Sequence, residues 1–123
     1  MKILSLHSDY IKFKPLKKAL KEPEKLTEEM KKETHIKDAL AIFTAVEKKD
    51  EENPNIIKQL IDNIKDIASQ VKANNIVLYP YAHLSPSLSS PNFAQKILEQ
   101  AEQALKKLKF TVTRAPFGYY KEF

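Results

Sequence analysis

The chain reads as a single α/β domain, one mixed sheet of about five strands with two main helices on one face. Three observations lead to this two-layer architecture. Apolar or alternating runs of strand length recur along the sequence, as in Ala39-Leu40-Ala41-Ile42-Phe43-Thr44-Ala45-Val46 and Tyr10-Ile11-Lys12-Phe13-Lys14. Two longer segments carry apolar residues at spacings of three and four, the stripe of an amphipathic helix. Strands come first as a run and then alternate with helices, the order of a sheet with helices laid on it.

Taken in order, Lys2 to His7 predict a first strand, Ser8-Asp9 a turn, and Tyr10 to Lys14 a half-buried second strand that Pro15 does not favour continuing. Residues 15–37 are rich in Lys and Glu, have Pro23 in their midst and show no clean period. They predict an exposed connection, with at most a short helix from Thr27 to Lys32 and a solvated His35. Ala39 to Val46 predict a central strand covered on both faces. Glu47 to Glu52 read as a solvated charged loop. Asn53-Pro54 then supply a helix cap and first-turn proline, and Ile57, Leu60, Ile61, Ile64, Ile67, Ala68 and Val71 mark one buried stripe up to about Lys72. Asn74-Asn75 suit the stop, since Asn tolerates a left-handed cap. Ile76 to Tyr79 predict a short buried strand, followed by a Ser- and Pro-rich loop. Ser90-Pro91 repeat the cap and open a helix burying Phe93, Ala94, Ile97, Leu98, Ala101, Leu105 and Leu108. Phe110 to Thr113 predict the last strand.

A length of 123 residues suits one domain, and 42% hydrophobic residues support a core. No apolar run approaches the ~20 residues of a membrane span, and no signal-peptide pattern follows Met1-Lys2. With no Cys, thiolate chemistry is excluded and the cytoplasm is the expected location. The net charge of +5 allows a polyanionic partner, but of 21 basic residues only Arg114 is Arg. Lysines acting as point charges on phosphates fit this better than bidentate reading of base edges, and most of them fit a solvated surface. A sheet with helices on one face needs its other face covered, and so small a chain predicts a homodimer for that purpose.

Two stretches stand apart as one expected site. Tyr79-Pro80-Tyr81-Ala82-His83-Leu84-Ser85 leads from a strand into a loop, where binding and catalytic groups concentrate. Arg114-Ala115-Pro116-Phe117-Gly118-Tyr119-Tyr120-Lys121 holds the only Gly and the only Arg of the chain. His83 suits a neutral imidazole that orients water or accepts a proton, and suits about equally a strand-end histidine held by hydrogen bonds. Lys121 could hold a phosphate or stabilise an oxyanion, or be one more surface lysine. Tyr119 and Tyr120 could offer a phenol to a ligand amine, stack on a base, or pack at a strand edge. There is no Cys/His zinc spacing, no Gly-rich phosphate loop and no nucleophile elbow. A metal set of His7, Asp9 and His83 has little support, so no metal or cofactor is expected.

His7-Ser8-Asp9-Tyr10, the stretch from Tyr79 to Ser85, and Ala115 to Lys121 together resemble the N-terminal editing domain of archaeal threonyl-tRNA synthetases. The resemblance spans almost the whole chain, including Val46-Glu47 and Asn53-Pro54. It implies a D-aminoacyl-tRNA deacylase-like fold, a homodimer, and hydrolysis of serine mischarged on threonine tRNA. The implied partner is the 3′ end of that tRNA, with no DNA and no membrane. By the same resemblance Val46, Pro80, Ala82, Pro116 and Phe117 would line the amino-acid pocket, Tyr120 would meet the substrate amine, and His83 and Lys121 would sit near the ester. The terminal ribose 2′-hydroxyl is expected to share in catalysis. The chain ends at Phe123, before a segment that carries an acidic site residue in the family, so the domain is expected to lack that part. Two alternatives remain open: a D-aminoacyl-tRNA deacylase, and a non-catalytic tRNA-binding or dimerisation module.

Overall fold

The first strand runs through the turn expected at Ser8-Asp9. In a computed structural model of the protein, residues 1–18, 34–115 and 119–122 are described, 15–18 and 119–122 by the course of the backbone. Strand β1 is Lys2–Lys18 and strand β2 is Thr34–Ala45. They pair antiparallel in one register from Lys2↔Ala45 to Phe13↔Thr34. The pairing overrides the turn propensity of Ser8 and Asp9, which are exposed on the strand. Asp38, with φ 45°, adopts the left-handed conformation that a short polar side chain tolerates.

Pro15 also lies within β1. Pairing with β2 ends at Phe13, and Pro15 stands opposite Lys121 of β5 (Tyr119–Glu122), beside a register shift. Such irregularities accept a residue without an N–H. The predicted exposed connection 15–37 is therefore strand at both ends. Its middle, including the short helix expected at Thr27, lies outside the described residues.

Helix α1 is Ile56–Val71, strand β3 is Asn75–Pro80, helix α2 is Pro91–Lys107 and strand β4 is Thr111–Arg114. The strand order is β4-β3-β2-β1-β5, with β2, β3 and β4 parallel and β1 antiparallel to both neighbours. The mixed α/β sheet matches the fold class expected from the sequence. Its five strands arise differently, because two predicted strands are one and β5 falls in the C-terminal stretch.

Alternation along β2 sets up both sides of the sheet. Leu40 and Ile42 face the helices and join Leu60, Ile64, Ile76, Leu78, Ala101 and Leu105 in the main core. Burying each large aliphatic side chain there contributes about 1.5–3 kcal/mol. Ala39, Ala41 and Phe43 face the other way, with Val77 and Tyr79 of β3. Ile11 and Phe13 from the outer half of β1 pack on this second face, together with Ala115 and Leu84. This corrects the premise that the chain has nothing to cover its second face: the curled hairpin covers part of it. Leu4 and Leu6, nearer the start of β1, stay 46% and 44% exposed.

The helix ends also differ in detail. Asn55, not Asn53, is the cap of α1, and the Asn53 side chain accepts the Asn55 N–H across the Asn-Pro turn at 3.0 Å. Lys72, not an Asn, takes the left-handed C-cap at φ 57°, because Asn75 is already in β3, where its side chain donates to the Lys37 carbonyl. Ser90 caps α2 as expected, its hydroxyl accepting the Phe93 N–H at 3.3 Å. Leu108 is exposed, contrary to expectation, because α2 ends at Lys107 and the chain turns through Lys109 at φ 74°. Among the described residues no helix is long and apolar enough to cross a membrane.

Candidate functional site

The carboxyl ends of the three parallel strands converge on one region of the molecule. Ligands in α/β sheets gather at such ends, where loops are free to vary over a rigid scaffold. Tyr81 leaves β3 with its N–H donated to the Thr44 carbonyl of β2 at 2.9 Å. A single 3-10 turn, Ala82–Leu84, follows and carries His83. Ala115, just past β4, donates its N–H to the Leu78 carbonyl at 2.9 Å, so the C-terminal stretch departs from the same end of the sheet.

A ladder of rings leads from the second-face core out to His83. Phe13 meets Tyr79 edge-on at 5.6 Å, and Tyr79 and Phe43 lie 5.0 Å apart. Phe43 contacts Tyr81 at 5.7 Å, and Tyr81 contacts the His83 imidazole at 5.2 Å. Tyr79 is buried, and burial followed by the neighbouring Tyr81 pushes its phenol up to about 12. Tyr79 therefore stays neutral near pH 7. Tyr81 and His83 are exposed at the outer end of the ladder, next to the exposed small residue Ala82.

The charged loop expected at 47–52 contains buried charge instead. Residues Lys48–Glu52 form a 3-10 turn, and Glu47 and Asp50 are buried at 7% and 3% exposure. The Met1 amino group lies 2.9 Å from Glu47 Oε1 and 2.7 Å from Asp50 Oδ2. Asp50 Oδ2 accepts the Glu47 N–H at 2.7 Å. The Ser85 hydroxyl donates to Glu47 Oε2 at 2.7 Å. The amino group first, and Ser85 next, hold the Glu47 carboxyl down at about 2. A carboxylate three residues after Glu47 has the spacing of a capping box, the one signal in the sequence that could have indicated this cluster.

The residues expected at the site have varied placements. Pro80 ends β3, half-buried, and Ala82 and His83 follow on the exposed turn. Val46 is buried, its side chain packed with Ile56, Ala94 and Ile97 on the helix side. Its carbonyl accepts the Ser89 N–H at 2.9 Å. Tyr120 and Lys121 lie in β5, described by its backbone, with Lys121 opposite Pro15. Pro116, Phe117 and Gly118 lie outside the described residues. Arg114, in the C-terminal stretch, turns to α2: its Nε donates to Glu102 at 3.1 Å. His7 is hydrogen-bonded to Asp38 at 2.9 Å, and among the described residues no group of three His, Cys, Asp or Glu is placed to hold a metal ion.

This is a small α/β domain whose candidate site is built from strand ends, main chain and aromatic rings. The chain belongs to a particular family of that kind: its residues 1–123 match the family model described as the archaea-specific editing domain of threonyl-tRNA synthetase. It is 48% identical to a threonine–tRNA ligase of Thermococcus onnurineus, over all of this chain and 20% of the relative. Over the same shares it is 49% identical to the Thermococcus sibiricus ligase and 46% identical to that of Pyrococcus horikoshii. The chain thus spans about a fifth of the length of these relatives.

Proposed function

We propose that this domain is a proofreading hydrolase that removes L-serine mischarged on threonine tRNA. The observation that carries the reading is membership of the editing-domain family over residues 1–123, taken with an exposed imidazole at the ends of parallel strands. The task itself needs a second pocket. A synthetic site built for threonine rejects serine, one methyl smaller, by only about 1–3 kcal/mol. A pocket too small for threonine admits serine and leaves the correct ester intact.

The proposed pocket is bounded by Pro80, Ala82, Pro116, Phe117 and the main chain of Val46. The buried Val46 side chain supports a largely main-chain wall. The Tyr120 phenol meets the substrate amine. His83 and Lys121 flank the ester: His83 orients the attacking water, and Lys121 offsets the charge that develops on the carbonyl oxygen. Water oxygen bonds to the carbonyl carbon, the ester C–O bond breaks, and the proton passes to the ribose oxygen, with the adjacent 2′-hydroxyl assisting. The course of β5 supports this grouping. Lys121 stands opposite Pro15, two residues beyond the Phe13 ring that packs on Tyr79. The partner is the 3′ end of the tRNA, and the setting is the cytoplasm.

The functional unit of this reading is a homodimer. Among the described residues β5 pairs only with Lys14–Lys18 of β1, so the earlier part of that strand keeps an open edge. Leu4 and Leu6, which pair with Phe43 and Ala41, are exposed on the second face of that part of the strand. A second copy covering that edge removes an aggregation hazard.

The test is hydrolysis of seryl-, threonyl- and D-aminoacyl-tRNA on the threonine acceptor, side by side. Loss of serine with threonine spared is the expected result. Loss of the D-ester alone transfers the domain to chirality proofreading. Binding of tRNA with no turnover makes it a binding module.

A further inference from the structure

Two backbone hydrogen bonds close the turn that carries His83, and both are long. Leu84 N–H to Tyr81 and Ser85 N–H to Ala82 each span 3.3 Å, beyond the usual range for such bonds. An exposed one-turn element with weak closures does not fix an imidazole by itself. The fixing comes from Ser85, whose buried hydroxyl donates to the Glu47 carboxylate at 2.7 Å and accepts the Ser87 N–H at 3.1 Å. A hydroxyl–carboxylate bond this short is charge-assisted and about twice as strong as a neutral one. Backbone bonds continue the seam: Lys48 N–H to the Ser87 carbonyl at 3.0 Å and Ser89 N–H to the Val46 carbonyl at 2.9 Å, around a bridge between Glu47 and Leu88.

We propose that Glu47 is a positioning residue for the editing reaction: through Ser85 it fixes the Ala82–Leu84 turn, and with it the placement of Ala82 and His83. This rests on the hydrolase reading for its functional consequence, though not for its structural part. The same carboxylate follows directly on Val46, so one group ties the proposed Val46 wall to the Ala82–His83 wall. The Met1 amino group, Asp50 and Lys49, at 2.9 Å, in the same cluster and at 3.8 Å, are the charged groups around it.

The test uses Ser85→Ala, which cuts the tie and leaves the ion cluster in place, and Glu47→Gln, which keeps an acceptor for Ser85 without the charge. Amide exchange at Leu84, followed by NMR, is expected to quicken about tenfold or more in Ser85→Ala and less in Glu47→Gln, since a bond to a charged group is being lost or weakened. In the seryl-tRNA assay Ser85→Ala is expected to lower kcat about tenfold or more with little change in KM. In a His83→Ala background the same substitution should then cause a clearly smaller loss, because the part that acts through His83 is already gone. Unchanged exchange at Leu84 in both variants overturns the proposal, as does a full additive loss in the His83→Ala background. If the unmodified domain hydrolyses no aminoacyl-tRNA, the hydrolase reading fails, and the exchange result still decides whether Glu47 fixes the turn.

Discussion

The ring of Phe13 meets that of Tyr79 edge-on, centroids 5.6 Å apart, across 66 residues of sequence (79 less 13). This contact fastens the outer half of the β1–β2 hairpin to the second face of the sheet. Phe13 is 2% exposed. Phe13→Ala should cost about 3–5 kcal/mol, read from denaturant unfolding. A change under about 1 kcal/mol would mean that the hairpin is held elsewhere.

Tyr79 gives a spectroscopic marker of the same core. Its phenol is raised from 10.0 to about 12 by burial and then by Tyr81. A raised native pKa means stability that is complete below pH 10 and is lost as pH climbs through 12. One tyrosine should therefore ionise late in an ultraviolet titration, and Tyr79→Phe should remove that phase. Persistence of the late phase would assign it to another ring.

At the acid end Glu47 behaves in the opposite sense. Its carboxyl is lowered from 4.5 to about 2, so its contribution is complete above pH 4.5 and is lost as pH falls through 2. The melting temperature of the unmodified domain should fall across that window more steeply than that of Glu47→Gln. Parallel curves would remove Glu47 from the acid response.

Under the hydrolase reading, Lys121→Met should lower seryl-tRNA hydrolysis about 100-fold while tRNA binding changes little. Undiminished turnover would take Lys121 out of the reaction.

The edge of β1 that has no partner strand among the described residues makes a prediction about assembly. Light scattering should give twice the mass of the chain, and Leu6→Lys should shift it toward the monomer, because Leu6 is 44% exposed on that strand. A monomer for the unmodified chain would refute the dimer.

The period of three and four placed Leu60, Ile64, Ala101 and Leu105 in the core, and the almost wholly apolar run from Ala39 to Val46 marked the central strand, which ends at Ala45. Those signals are local and dense. Ser8-Asp9 misled, because turn propensity is weak against a ladder of pairing that extends on both sides of it. Glu47 and Asp50 misled for another reason. A run of charges reads as solvated, and only the folded chain brings the Met1 amino group against two of them. The position of His83 just past a strand end was legible from an apolar run leading into a Ser-Pro loop. The tie from Glu47 to Ser85 was not, since 38 residues separate them and no spacing in the sequence joins the two stretches that hold them.

The parallel arrangement of β2, β3 and β4 has a consequence for the order in which the molecule assembles. The β1–β2 hairpin is an antiparallel pair whose strands follow one another in sequence. The pairing Ala39↔Asn75 and its parallel neighbours must wait for closure of a loop that contains a whole helix. Tyr81 reaches the Thr44 carbonyl, and Ser85 reaches Glu47, only after β3 has docked. The His83 turn is thus a late product of folding, and pulse-labelled amide exchange should find Leu84 protected after the amides of the hairpin. A newly made chain would acquire its first antiparallel pair before it acquires the turn that carries His83.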